Sequence, residues 1–210
     1  MVIMISDRER FERARARFDA ANAEDPNRES ADGRERPKEL LYAERMTAML
    51  ERFAPDASEP LRLAARCQHI QRWKIPRAEY TMDRIGYLQW RKQLQKFHAD
   101  LAGGILRDVG YDGATITRVA SLLKKEDLKA DADVQTLEDV IDLVFLENYL
   151  AAFVSAHGTY EATKLQDILD KTAKKMSVRG RAAALTLIEV PAPLRPAVHA
   201  AMIAQGLEGP

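Results

Sequence analysis

The sequence predicts an all-α fold, a single-domain helical bundle, and three observations predict it. Apolar residues recur at helical spacing along nearly the whole chain, and no run alternates as a half-buried strand does. Serines followed by acids or prolines stand where helices should begin. Prolines and glycines fall between the periodic segments.

The first element is "SDRERFERARARFDAANAED", with Ser6 as N-cap, Glu9 closing a capping box, and Phe11 and Phe18 on one face. "DPNRESADGRERP" reads as a charged loop, long for a helix connection. Pro37 starts "PKELLYAERMTAMLERF", whose apolar stripe is Leu40, Leu41, Met46, Met49 and Leu50. Ser58 caps a helix expected to run through "LAARCQHIQRW", so that Ala65, His69 and Trp73 share an inward face. "MDRIGYLQWRKQLQKFHADLAGGILRDVGY" makes a long helix that Gly103 and Gly104 should weaken or kink, with His98 on its apolar stripe. "DGATITRVASLLKK", "DVQTLEDVIDLVFLENYLAAFVSA", "TYEATKLQDILDKTAKK", "SVRGRAAALTLIE" and "PAPLRPAVHAAMIAQG" complete the bundle. The expected organisation is one domain over 1–210: an N-terminal helix and charged loop to 36, core site helices over 37–157, and C-terminal helices over 158–210.

Composition narrows the function classes. A chain of 210 residues buries roughly 70% of the surface its unfolded form exposes, so it needs no staples. Acidic and basic residues balance at 32 each, giving no strong nucleic-acid signal and no membrane signal. A charged ligand must be recognised locally. The single cysteine, Cys67, excludes an intramolecular disulfide and reads as a packed apolar side chain. The apolar start of the chain is too short for a signal peptide and no later segment spans a bilayer, so the expected location is cytoplasmic.

Buried polar groups carry the functional reading. His69 and His98 both face inward and need partners. In "VQTLEDVIDLVFLENYL" apolar residues surround almost the whole helix, yet Glu138 projects between Phe145 and Tyr149, with Asp139 and Asp142 adjacent. A buried carboxylate must be protonated, paired with a cation such as Arg66 or Arg91, or bound to a metal. Histidines and carboxylates from several helices are how a bundle core builds a metal site.

Residues "KELLYAERMTAMLERFAPDASEPLRLAARCQHIQRW" are similar to the first two site helices of HD-domain phosphohydrolases, in degenerate form. Tyr42 or Glu44 stands in place of the first histidine, Gln68 replaces the paired histidine, and His69 replaces the aspartate. This resemblance implies one divalent metal ion (zinc, manganese or iron) held by His69, His98, Glu138 and Asp139, with Glu44 or a neighbouring carboxylate as general base. "PKELLYAERM", "AARCQHIQRW", "IPR", "GYLQWR", "FHA", "LEDV" and "KKMS" resemble more closely the family catalogued as domain of unknown function 4202, from about Asn22 to Ser177. "KKMS" also looks like the lysine-methionine-serine loop of class I synthetases. The sequence excludes a glutamyl-tRNA synthetase, because it lacks the βαβ pattern and the glycine-rich phosphate turn.

Ser177 should cap the next helix, and beside Lys174, Lys175, Arg179 and Arg181 that terminus reads either as an anion site or as a solvated basic turn. Arg72 and Arg77, after the His69 segment, are the other candidate anion contacts. Three readings follow. The leading one is metal-dependent, HD-like hydrolysis of a small anionic substrate, phosphorylated substrates being the main candidates. The others are an iron-dependent oxygenase on the same scaffold, and a non-catalytic helical interaction protein with a structural salt-bridge core.

Overall fold

A computed structural model describes residues 6–156 and 162–206. The expected apolar start, Met1 to Ile5, and the expected boundary at 157–158 lie outside these residues. The described chain is mostly helical: α1 (Asp7–Ala23), a hairpin of β1 (Arg28–Ala31) and β2 (Arg34–Pro37), then α2 (Lys38–Phe53), α3 (Glu59–Cys67), α4 (Arg84–Asp108), α5 (Gly113–Lys124), α6 (Ala132–Val144), α7 (Leu150–Ala156), α8 (Ala162–Lys175), α9 (Val178–Thr186) and α10 (Arg195–Ala204). Among the described residues no helix is long and apolar enough to cross a membrane.

The chain sorts into two compact units. One comprises Met1–Thr47 and Ala57–Glu126, the other Ala48–Asp56 and Asp127–Pro210. In the first, α4 packs along α5, and α3 packs on α1 and α5. Phe18, Met46, Leu61, Leu63, Ile70, Leu106, Leu122 and Leu123 are buried there. In the second, α6 packs on α8 and α9, and α10 packs on α8 and α9. Its buried residues include Leu137, Val140, Leu143, Leu146, Leu169 and Met202.

Local capping chemistry sets several helix starts. Ser6 accepts from the Glu9 amide at 3.2 Å, Ser58 from Leu61 at 3.3 Å and Ser177 from Gly180 at 2.9 Å. Burial raises the Cys67 thiol pKa, as a packed apolar side chain requires.

Three expectations need correction. The charged loop contains an antiparallel hairpin, Arg28 pairing with Pro37 and Ala31 with Arg34. Its turn is Asp32-Gly33, both residues at positive φ, a dipeptide that suits a tight two-residue hairpin. The helix carrying Cys67 stops there, so His69 lies in the following turn instead of sharing a helical face with Ala65 and Trp73. The cause is tertiary: Gln71 takes a left-handed conformation and its amide donates to Asn22 Oδ1 of α1 at 2.9 Å. Helix α4 runs through Gly103 and Gly104 as one element, and a Cβ at Gly103 would meet Ile116 of α5 at an ordinary contact distance of 3.4 Å. Finally, the helix expected to continue past Val144 widens into a π-helical turn, Phe145–Tyr149, closed by the Leu150 amide on the Phe145 carbonyl. Glu147 in this turn pairs with Arg52 at 3.0 Å.

Candidate functional site

In the first unit, a polar cluster forms where α2, the turn after α3 and α4 meet. Glu39 sits in the first turn of α2, its amide donating to Asp25 Oδ2 at 3.0 Å. Its stripe of Glu39, Tyr42, Ala43 and Met46 is buried, which carries the carboxylate inward. The Glu39 carboxylate lies 3.5 Å from His69 Nδ1, and Arg72 Nη1 lies 3.0 Å from His69 Nε2. Because a guanidinium can only donate, His69 Nε2 accepts, and its proton sits on Nδ1 facing Glu39. The Tyr42 ring stacks on His69 at 4.1 Å. The His69 side chain is 22% exposed and opens the cluster to solvent.

His98, on α4, is buried with its ring centroid 6.0 Å from that of His69. Its Nδ1 donates to the Ile70 carbonyl at 2.8 Å. That bond leaves the lone pair on Nε2, which is buried and makes no hydrogen bond.

The electrostatics are unusual for a core. Burial pushes the Glu39 carboxyl up to about 7, against the opposing pull of Arg72. Burial, followed by the Arg72 charge, holds His69 well below its ordinary value. Burial and neighbouring His69 depress His98 to about 3. Both imidazoles are therefore neutral at pH 7.

Arginines line the same region. The Arg72 guanidinium lies 4.7 Å from the Trp90 ring centroid, and Arg77 lies 5.9 Å from it. Arg77 and Arg91 also face Tyr87 at 6.0 and 5.9 Å. Arg77 donates to the Tyr80 and Asp83 carbonyls, which bolts the connecting segment to α4. Glu44, the expected general base, pairs with Arg36 at 2.7 Å.

The remaining expected residues belong to the second unit, where they have their own partners. Lys175 Nζ donates to Glu138 Oε1 at 3.1 Å and to Asp142 Oδ1 at 2.9 Å. Despite its partial burial, the two carboxylates, Asp142 foremost, raise the Lys175 pKa. The expected salt-bridge partners go elsewhere or are lysine instead: Arg66 pairs with Asp19 at 2.6 Å. Asp139 accepts from the Ser177 amide at 2.8 Å, the Ser177 hydroxyl at 2.5 Å and Gln135 at 3.1 Å. Burial raises its pKa against these bonds.

The "KKMS" segment is thus tied into the scaffold. Lys175 holds two buried carboxylates, and Ser177 caps α9 while holding Asp139. The Lys174 carbonyl accepts from Lys129, and Arg179 donates to the Phe53 carbonyl with its guanidinium 4.3 Å from the Phe53 ring centroid. A cavity of about 610 Å³ in this unit is lined by Ala184, Ile188, Val190, Arg195, Val198 and His199, and by none of the residues singled out from the sequence.

A Cβ added at Gly180 would lie 2.5 Å from the Asp139 carboxyl carbon, a group already pinned by Ser177. Gly180→Ala is therefore expected to cost about 2 kcal/mol by overpacking. Urea denaturation measures it, and unchanged stability would show that Asp139 swings aside at little cost.

Sequence reasoning missed Glu39. An acid in the first turn of a helix reads as a solvated group favoured by the helix dipole. The signal that finds it is its place on the Tyr42, Ala43 and Met46 stripe.

Among the described residues, no group of three or more His, Cys, Asp and Glu side chains is disposed to hold a metal ion. No curated protein and no solved structure matches the chain. One family does, over residues 12–198, and the chain belongs to it: the family described as Domain of unknown function (DUF4202).

Proposed function

We propose that the first unit binds a small anionic, phosphorylated substrate at Glu39, His69, Arg72 and His98 and hydrolyses it. The observation that carries this reading is the buried Nε2 of His98, an acceptor without a partner beside a buried carboxyl poised near neutrality. Such groups destabilise a fold unless a ligand uses them, and they gather at functional sites. His98 Nε2 accepts a hydrogen bond from the attacking water and orients it. Glu39, its carboxylate steadied by His69 Nδ1–H, takes the proton as the water oxygen bonds to phosphorus and the P–O bond to the leaving group breaks; with a pKa of about 7 it then returns that proton to the leaving oxygen. Arg72, on the Trp90 face and without an ion pair among the described residues, meets the phosphoryl oxygens, and Arg77 and Arg91 supply the outer positive field.

The HD-like reading brings a divalent metal with it, and the donor set as arranged does not fit one. His69 Nε2 accepts from Arg72, Glu138 is paired with Lys175, and Asp139 is saturated by Ser177 and Gln135. The mechanism proposed here therefore runs through side chains. A metal-dependent version has one point in its favour: a histidine with Nδ1 on a backbone carbonyl and a free Nε2 is oriented as metal-binding histidines are. It requires Arg72 to leave His69.

Purified protein assayed against phosphomonoesters, phosphodiesters and nucleotides, with chelator and with added zinc, manganese or iron, tests both versions. Release of phosphate that persists in chelator is the expected result; release only with metal selects the metal-dependent version. His98→Asn keeps a donor for the Ile70 carbonyl and removes the Nε2 acceptor, so it should lower kcat by about 10²-fold or more with little change in Tm. No turnover of any substrate class under any of these conditions would sink the hydrolase reading.

A further inference from the structure

The exposed apolar side chains of the described chain are not scattered. Met82 is 81% exposed, Ile85 67% and Leu88 54%, with Tyr87 beside them, and of the large exposed hydrophobics only Ile203 lies elsewhere. At 100° per residue Ile85, Leu88, Lys92 and Lys96 project from the solvent face of α4, opposite buried Leu94 and His98. Isolated apolar residues on a surface need no explanation, but a group of three on one helix end does.

This end is rigidly built. Asp83 caps α4 through the Gly86 amide at 2.7 Å and accepts from the Thr81 hydroxyl at 2.9 Å. The turn closes so tightly that a Cβ at Gly86 would lie 2.2 Å from the Thr81 carbonyl oxygen. Arg77 clamps the same turn from below through the Tyr80 and Asp83 carbonyls. Met82 and Ile85 are therefore held out on a fixed scaffold.

The charge around them has one sign. From Arg72 to Lys96 the chain carries seven basic residues and two acidic ones, although it is neutral overall. Asp83 is committed to capping, and Lys74, Arg84, Arg91, Lys92 and Lys96 pair with no carboxylate among the described residues.

We propose that this end of α4 is a peripheral attachment site for an anionic lipid surface, with Met82, Ile85 and Leu88 entering the acyl boundary and Arg84, Lys92 and Lys96 meeting the headgroup phosphates. A bilayer offers both an anionic layer and an apolar layer just beneath it, which matches protruding apolar tips beside unpaired cations. Nucleic acid would answer the cations and leave the apolar tips in water. The proposal is independent of the hydrolase reading.

Co-sedimentation of the full chain with phosphatidylcholine vesicles, with and without phosphatidylserine, tests it. Binding to the phosphatidylserine vesicles, weakened by salt and much reduced on phosphatidylcholine alone, is expected. Ile85→Asp with Leu88→Asp, and separately Lys92→Glu with Lys96→Glu, should each lower the bound fraction by about tenfold or more. Both pairs are exposed, so circular dichroism and Tm should match wild type. Three results would overturn the proposal: no sedimentation with either vesicle, a concentration-dependent dimer that Ile85→Asp abolishes, or nucleic-acid binding in place of vesicle binding.

Discussion

Glu39→Gln is expected to make the protein more stable at pH 8 and inactive. The Glu39 carboxyl titrates near 7 in the folded chain against an ordinary 4.5, because burial disfavours its charged form. Between those values the folded state keeps a proton that the unfolded state has lost, so stability falls as pH rises from about 4.5 to about 7 and stays low above that. At 1.36 kcal/mol per unit, the loss amounts to about 3 kcal/mol. Glutamine does not ionise, and its carbonyl can face His69 Nδ1 as the carboxylate does. Urea denaturation should therefore show the variant level with wild type near pH 4.5 and more stable by up to about 3 kcal/mol at pH 8. The same change removes the proposed proton acceptor, and phosphate release should fall by about 10²-fold or more. A variant no more stable than wild type at pH 8 would show that Glu39 is well compensated in its charged form.

Lys175→Met should destabilise the protein by about 2–3 kcal/mol at pH 7, irrespective of metal. It removes the ammonium shared by Glu138 and Asp142, whose side chains are 2% and 5% exposed. Breaking a fully buried pair costs about 3–5 kcal/mol, and the lower figure reflects the 41% exposure of Lys175 and the screening that comes with it. Adding Glu138→Gln and Asp142→Asn should restore much of the stability at pH 7. Melts with chelator and with added zinc, manganese or iron complete the test. A Glu138→Gln destabilisation that is the same in both would rule against coordination by Glu138, whereas stabilisation of wild type by metal that Glu138→Gln abolishes would favour it.

Local chemistry is what the sequence determined by itself. Ser6, Ser58 and Ser177 cap their helices because a hydroxyl and the amide it accepts from lie within one turn, and the all-α class follows from apolar periodicity within single segments. The Asp32-Gly33 dipeptide favours its hairpin turn on the same local grounds, a signal that reading the stretch as a charged loop passed over. That Glu138 needs compensation was legible too, because its burial shows in the helical projection. Which group compensates it was not, as Lys175 lies 37 residues away on another helix. The same holds for His69, whose helix ends early because Asn22, far back in the chain, captures the Gln71 amide. Tertiary structure alone assigned His69 and His98 to one compact unit and Glu138 and Asp139 to the other, each with its own partners. Periodicity records how deeply a side chain is buried. The partner it meets there depends on which distant segments the chain brings together, and no local window contains that.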